Sequence, residues 1–280
     1  MAVRVECEKC GYKYKLKDEL AGRKVKCKIC QHVFAVPRLP PEGVEVSKGG
    51  SVVYRYEERK RKFEFALGEE QTIEAISDHI TRHIGPVATV WHELLSDLVH
   101  IDVHVVNPTE SRPFYTLITS GMSDRPMTTP DECAHLRYAE LVLSLPADWP
   151  LTQDAFEQHE NYWPIRMLKF LARFPHEFET WLGWGHTIPN GDPPEPFAEN
   201  TGLCCAFLLS PVLAPDEFSE LKIDDERTVN FFTLVPIYRE EMDFKLKKGT
   251  EALVERLINN RVSELLDLNR VNVCKKKGWW

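Results

Sequence analysis

Hydrophobic positions along this 280-residue chain switch between two periods. One stripe of isoleucines recurs every three or four positions: Ile73, Ile76, Ile80 and Ile84. That spacing predicts one apolar face of a helix, which we expect to end at Gly85-Pro86. The period then changes to two, which is typical of half-buried strands. We predict strands in four successive segments, 87–93, 99–106, 114–120 and 138–146.

The second half of the chain mixes both patterns. Residues 161–174 return to helical spacing, and Pro164 suits a first helical turn. Three later segments, WLGWGHTIP, TGLCCAFLLSP and TVNFFTLVPIY, favour strands, and two helices are expected on either side of Gly249. The order is mixed rather than strictly alternating, so we predict an α+β fold: a mixed β-sheet flanked by helices.

Four cysteines near the N-terminus have the spacing of a metal site: Cys7, Cys10, Cys27 and Cys30. Two C-x2-C pairs can each supply one edge of a tetrahedron of thiolates, which suits Zn²⁺. Since protein ligands fill all four positions, we predict one structural zinc ion and no catalytic one. The stretch also resembles the small zinc ribbons at the start of many bacterial proteins, with Ala21–Cys30 as the second knuckle and Val36-Pro37 closing it.

Composition and charge divide the chain. We predict a zinc ribbon at 1–36, a Pro/Gly-rich linker at 37–51 and one larger domain at 52–274. Residues 1–30 carry nine basic and four acidic residues, a net charge of +5. The whole chain has a net charge of −8, so the residues after position 30 carry −13. No apolar run reaches the about 20 residues that a membrane helix needs. The charged start lacks a signal-peptide pattern, and the other cysteines are scattered, so we expect a cytoplasmic protein without disulfides.

A strand at 99–106 offers a candidate metal-dependent hydrolase site. Alternate residues of a strand share a face, so His100, Asp102 and His104 are expected to project together, and His92 or His186 could join them. Two imidazoles and a carboxylate suit a transition metal. The alternative, which we favour, is a sheet with one polar face whose histidines are hydrogen-bonded or solvated. The basic ribbon leaves a third possibility, a nucleic-acid-binding regulator, in which Tyr12 and Tyr14, interleaved with Lys13 and Lys15, stack on bases. We favour the alternative, a plain ribbon strand with one solvated face.

Six runs, in order, resemble the suppressor-of-fused (SUFU) domain over roughly residues 60 to 270: HELLSDLVHIDVHVVNP, FYTLITSGMSDRPM, AELVLSLPADW, YWPIRMLKFLAR, GHTIPNG and FFTLVPIYREEM. The resemblance implies a mixed α/β fold and a binding protein, not an enzyme. The animal member sequesters a zinc-finger transcription factor, and bacterial members look like immunity proteins that neutralise a cognate toxin, or like general interaction modules. The resemblance therefore implies a protein partner, and the −13 charge suggests a basic toxin.

The loop at 121–132 is the predicted partner surface, because its methionines and prolines lie between two strands and Met-rich loops adapt to protein partners. The resemblance adds the strand residue Glu140, which lies near the partner groove in the animal protein. The predicted partner-binding residues are Gly121, Met122, Ser123, Asp124, Arg125, Met127 and Glu140.

Overall fold

The structure, a computed structural model, describes residues 2–7, 9–36, 45–93 and 96–275. The chain divides into two compact units, Met1–Arg55 and Tyr56–Trp280. Of the linker predicted at 37–51, residues 37–44 lie outside the described residues. The rest of it contributes to a short hairpin, because residues 45–46 pair with residues 52–53 across a turn.

The first unit consists of three antiparallel strand pairs, β1 with β2, β3 with β4 and β5 with β6. Their bounds are β1 Ala2–Glu6, β2 Lys13–Lys17, β3 Lys24–Lys26, β4 Val33–Ala35, β5 Glu45–Val46 and β6 Val52–Val53. Strand β2 alternates exposed lysines with the inward-facing Tyr14 and Leu16. Tyr14 and Phe34 pack with the cysteines in a small cluster, so the metal-ligand candidates form much of this unit's core.

The second unit is built on an eight-stranded mixed sheet in the order β11-β12-β14-β10-β9-β8-β7, with β13 also paired to β14. Only the β10–β14 pairing is parallel among the described strands of this sheet. The bounds are β7 Val87–Trp91, β8 Asp102–Val106, β9 Phe114–Ser120, β10 Ala139–Pro146, β11 Thr187–Pro189, β12 Cys205–Leu209, β13 Glu220–Lys222 and β14 Thr228–Ile237.

Helices cover both faces of the sheet: α1 Glu70–His83, α2 His159–Phe178, α3 Arg239–Lys248 and α4 Thr250–Asn259. Side chains alternate between the faces, since Leu141 and Leu143 pack in the cluster that contains α2, whereas Val142 packs in the cluster that contains α1. Residues Leu253 and Leu257 of α4 cover another part of the α1 face. Because both faces are covered, every residue of β8 is buried.

The predicted mixed α+β fold is confirmed, and so is the helix predicted from the isoleucine stripe. It ends at His83, and Ile76 and Ile80 lie in the core. The helix predicted at 161–174 is longer in both directions, so Pro164 lies in its second turn rather than its first. Strand β13 was not predicted, since its three residues are too few to show a period. Within the described residues, no helix is long and apolar enough to cross a membrane.

Candidate functional site

The four ribbon cysteines come together as predicted. Their sulfur atoms all lie within 4.8 Å of one another, with 3.6 Å between Cys7 and Cys30 and 3.6 Å between Cys10 and Cys27. A tetrahedral zinc ion with Zn–S bonds of about 2.3 Å places its sulfurs about 3.8 Å apart, so the set fits that ion. All four thiols are free of disulfides.

The two knuckles repeat one backbone pattern. The amide of Cys7 donates to Tyr12 O at 3.0 Å, and the amide of Cys27 donates to His32 O at 2.7 Å. Each turn closes on a left-handed residue: Gly11 has φ +69° and Gln31 has φ +61°. Glycine adopts this conformation freely, whereas glutamine does so at a cost. The same turn geometry is therefore kept at the second knuckle despite an unfavourable residue.

Hydrogen bonds favour the thiolate form of Cys27. Burial opposes that charge, but the amides of Cys30 and Ile29, each at 3.4 Å, and the Tyr14 hydroxyl at 3.0 Å donate to its sulfur. Together they lower the pKa of Cys27 to about 5. The Tyr14 hydroxyl is thus engaged by the cysteine cluster and its ring is half-buried, whereas Tyr12 is 50% exposed.

The predicted partner loop begins with a backbone constraint. Gly121 has φ +100°, and a Cβ built on it would lie 1.8 Å from the carbonyl oxygen of His100. Only glycine permits this close approach. The chain then enters a single turn of 3-10 helix, Met122–Asp124, which contacts the buried carboxylate of Glu140 through Ser123.

Glu140 is buried and fixes that turn from inside. Its Oε1 accepts hydrogen bonds from the backbone N–H of Ser123 at 2.9 Å and from the Ser123 hydroxyl at 2.6 Å. Its Oε2 accepts from the Thr119 hydroxyl at 2.6 Å. Burial raises the pKa of Glu140 to about 7, although these hydrogen bonds oppose the shift.

The expectation of an exposed, Met-rich loop is wrong for most of the predicted residues. Five of the seven are buried: Gly121, Met122, Ser123, Met127 and Glu140. The two methionines pack in the core cluster that contains α2, and the Ser123 hydroxyl bonds to Glu140. Asp124 and Arg125 are half-buried. Of the seven predicted partner-binding residues, only Asp124 and Arg125 are therefore accessible enough to contact a partner directly.

The proposed grouping of His100, Asp102 and His104 is also corrected. His104 is buried, its Nε2 lies 2.9 Å from the Ser120 hydroxyl, and burial lowers its pKa to about 4. His92 takes its place: His92 Nδ1 lies 2.8 Å from Asp102 Oδ2, and His100 Nε2 lies 3.0 Å from Asp102 Oδ1. We refer to His92, His100 and Asp102 as the His-Asp cluster. His186 lies elsewhere, against Trp181.

An exposed apolar feature was not predicted. Phe63, Phe65 and Leu67 lie at alternate positions of an extended segment and are 68%, 59% and 80% exposed. We call these three side chains the 63–67 strip. The segment is held by its backbone, since Leu98 N donates to Glu64 O at 2.8 Å and Ala66 N donates to Ser96 O at 3.4 Å.

The strip lies beside the exposed part of the predicted loop. Arg125 Nη1 donates to Glu64 Oε2 at 3.1 Å, and its other guanidinium nitrogen makes a second contact with the same carboxylate. The bidentate pair connects the 63–67 segment to the end of the 121–125 turn. The alternating and charged residues of this stretch favour a strand or an exposed lead-in, but they do not show which side chains are exposed.

Comparison with known proteins gives the family. The sequence profile described as Suppressor of fused protein (SUFU) matches residues 97–271 of this chain. The chain belongs to the suppressor of fused family. The matched region of the SUFU domain contains β8 to β14 and α2 to α4, and therefore the Glu140 turn and two of the three His-Asp residues.

Relatives support the same fold. An uncharacterized protein of Ureaplasma parvum serovar 3 is 26% identical over 216 residues, which span 76% of this chain and 99% of that protein. A putative SUFU homolog from Neisseria gonorrhoeae has a TM-score of 0.53 at 17% identity, covering 74% of this chain and 97% of that one. The crystal structure of the Sufu–Fu complex has a TM-score of 0.50 at 17% identity, covering 72% of this chain and 92% of that one.

Proposed function

We propose that this protein is a non-catalytic protein-binding module and that its SUFU domain contacts a partner through the 63–67 strip. The observation that carries the proposal is the exposure of three large apolar side chains, Phe63, Phe65 and Leu67, within five residues of the chain. Large apolar side chains scattered singly on a surface are ordinary, whereas contiguous ones mark interaction sites. Aromatic residues are also enriched among the side chains that dominate interface energies.

The family supports the protein-binding part of this proposal, whereas the 63–67 strip lies outside the matched residues 97–271 and rests on its exposure alone. One solved structure with this fold is a complex, that of Sufu with Fu. In this chain the backbone that presents the strip is already ordered by the bonds to residues 96–98, so binding does not have to pay for its folding. The Arg125–Glu64 pair places charged groups in the same segment as the strip, and such groups are typical of the polar rim of an interface.

A more specific form of the proposal is an immunity protein that captures a basic toxin in the cytoplasm. The net charge of −13 outside residues 1–30 supports it, since complementary charge accelerates association and discourages acidic competitors. The ribbon, holding one structural Zn²⁺ ion, would then position the protein or make a second contact with the partner.

Nucleic-acid binding by the ribbon is the second candidate. Lys13, Lys15 and Lys17 share the exposed face of β2. A phosphate-binding face predicts affinity that falls steeply with salt. Full-length protein that shows no binding to single-stranded DNA or RNA at low salt would contradict this candidate.

Affinity capture from the cells that make this protein tests the main proposal. The strip variant is Phe63→Ser/Phe65→Ser/Leu67→Ser. The matched control is Val212→Ser/Ile258→Ser/Val271→Ser, which changes three similarly exposed side chains elsewhere in the second compact unit, Tyr56–Trp280, which we call the SUFU unit. We expect a protein retained by wild type and control, lost by the strip variant, and bound again when the purified pair is mixed. Equal retention by all three forms contradicts the proposal, and a basic isoelectric point of the captured protein distinguishes the toxin form.

A further inference from the structure

Short polar contacts link the His-Asp cluster to Ser96 and Glu93. Ser96 Oγ lies 2.6 Å from His100 Nδ1 and 3.2 Å from Glu93 Oε2. The shorter contact is compatible with either tautomer of His100, because the hydroxyl can donate to a bare Nδ1 or accept from a protonated one.

The opposite nitrogen of the same ring faces a carboxylate, since His100 Nε2 lies 3.0 Å from Asp102 Oδ1. In the tautomer whose Nδ1 donates to Ser96, His100 Nε2 directs its lone pair toward Asp102, which is the form of the ring that binds a metal ion.

We propose that His92, His100 and Asp102 bind a divalent transition-metal ion of the zinc class. One atom from each residue, His92 Nδ1, His100 Nε2 and an Asp102 oxygen, lies within 4.8 Å of the others. Two imidazoles and one carboxylate are the three protein ligands of zinc sites that leave the fourth position to water, with Zn–N and Zn–O distances of about 2.0 to 2.2 Å. Each imidazole lies close to the Asp102 carboxylate, with His92 Nδ1 2.8 Å from Oδ2 and His100 Nε2 3.0 Å from Oδ1, so small side-chain shifts can place the three ligands around one ion.

Charge around the cluster decides the class of metal. Glu93 is paired with Arg173 at 2.5 Å, and Lys169 of α2 interacts electrostatically with both Glu93 and Asp102. The two carboxylates are thus nearly neutralised before any ion binds. Ca²⁺ and Mg²⁺ depend on several oxygen ligands and uncompensated negative charge, which this cluster lacks. Imidazole coordination has to supply the affinity, which favours Zn²⁺, Ni²⁺, Co²⁺ or Cu²⁺.

The surroundings match those of metal-binding histidines. Such a histidine usually donates its other ring N–H to an oxygen, and Ser96 Oγ lies 2.6 Å from His100 Nδ1, in position to accept that bond when Nε2 holds the ion. Asp102 is buried and its Oδ1 also accepts from Glu93 N at 3.3 Å, so the carboxylate is held in place. The His92 side chain is 65% exposed, which leaves the solvent side open for a water or an external ligand.

Metal content of the full chain tests the site. Protein is stripped with chelator, re-equilibrated with micromolar free Zn²⁺ and measured by mass spectrometry of the metal. We expect two equivalents in wild type, one in Cys27→Ser/Cys30→Ser, and none when His92→Ala is added to that pair. His135→Ala, which removes an exposed histidine elsewhere, should leave the single equivalent in place. Because His92 is mostly exposed, its substitution should not prevent folding.

Two results overturn the site: no zinc in Cys27→Ser/Cys30→Ser, or zinc that survives the addition of His92→Ala. Co²⁺ provides an independent measurement in the wild-type chain, because thiolate ligands give strong near-ultraviolet charge-transfer bands and a nitrogen/oxygen site gives only weak visible bands. A second Co²⁺ equivalent should add visible absorption without sulfur bands, and that absorption should disappear in His92→Ala. Ser96→Ala should weaken this second equivalent about tenfold, because it removes the partner of His100 Nδ1.

Discussion

Glu140 binds Ser123 twice, through the Ser123 backbone N–H at 2.9 Å and the Ser123 hydroxyl at 2.6 Å. This connects the sheet to the turn that follows Gly121, inside the core. The carboxyl is completely buried, so the turn is fixed by a group that is costly to ionise. The stability of the SUFU unit should therefore depend on the protonation state of one carboxyl group.

Replacing Glu140→Gln should make that dependence measurable. Burial raises the pKa of Glu140 from 4.5 to about 7, so between these values the folded state holds a proton that the unfolded state releases. Stability from this group is thus fully present below pH 4.5 and is lost as pH rises through about 7. Wild type should lose about 2 to 3 kcal/mol relative to Glu140→Gln between pH 5 and pH 8, measured by urea unfolding. A difference that is independent of pH contradicts the raised pKa.

Gly121→Ala should destabilise the SUFU unit by at least about 2 kcal/mol, because the new methyl group would overlap the His100 carbonyl and the residue already has positive φ. Gly191→Ala is the matched control: its φ is +91°, but its nearest backbone oxygen, that of Pro193, lies 3.4 Å away. Thermal and urea unfolding of both variants compare the two costs. Equal losses would show that backbone conformation alone matters and that the contact with His100 does not.

A buried ion pair holds residues after α4 against α3. Arg270 donates to Glu241 at 2.6 and 2.8 Å and to Pro236 O at 3.0 Å, and Glu241 is inaccessible to solvent. Arg270→Ala should cost about 3 to 5 kcal/mol, since it leaves a buried carboxylate unpaired. Arg61→Ala, which breaks an exposed pair with Glu179, should cost less than about 1 kcal/mol. Combining Arg270→Met with Glu241→Gln should recover part of the loss in urea unfolding, and no recovery contradicts the unpaired-charge explanation.

Chelation should unfold the ribbon without unfolding the SUFU unit. The ribbon core consists of its cysteines with Phe34 and a few partly buried neighbours, too little to fold without a metal. With excess chelator, protease should cleave within residues 1–36 while a fragment containing 56–275 survives. Cys27→Ser/Cys30→Ser should behave like the chelated protein, and Cys133→Ser, which changes a thiol outside the cluster, should not. Resistance of the ribbon to cleavage in chelator would contradict a structural metal.

Sequence periodicity predicted most of the fold because burial imposes it. The isoleucine stripe of α1 and the alternation in β10 each reflect a face that packs against a neighbour. Cysteine spacing likewise identified the ribbon cluster, since two C-x2-C turns constrain all four sulfurs locally. These features depend on residues near each other in sequence.

The corrected features depend on contacts between distant segments. His104 shares a strand face with Asp102, but its Nε2 lies within hydrogen-bond distance of Ser120 on the neighbouring strand. His92, which directly follows β7, lies against Asp102 at the start of β8. Alternation at 63–67 does not reveal which face is exposed, because that is decided by backbone bonds to residues 96–98. For the same reason Met122 and Met127 looked like loop surface but belong to the core.

Site-specific photo-crosslinking tests the protein-binding proposal most directly. Phe65 is replaced with the photoreactive amino acid benzoylphenylalanine in the full-length protein, and the control carries it at Val212, which is 74% exposed on the same unit. Irradiation of the producing cells should yield one discrete covalent adduct with another protein from position 65 and none from position 212. No adduct at position 65, or the same adducts from both positions, would contradict a partner bound at the 63–67 strip.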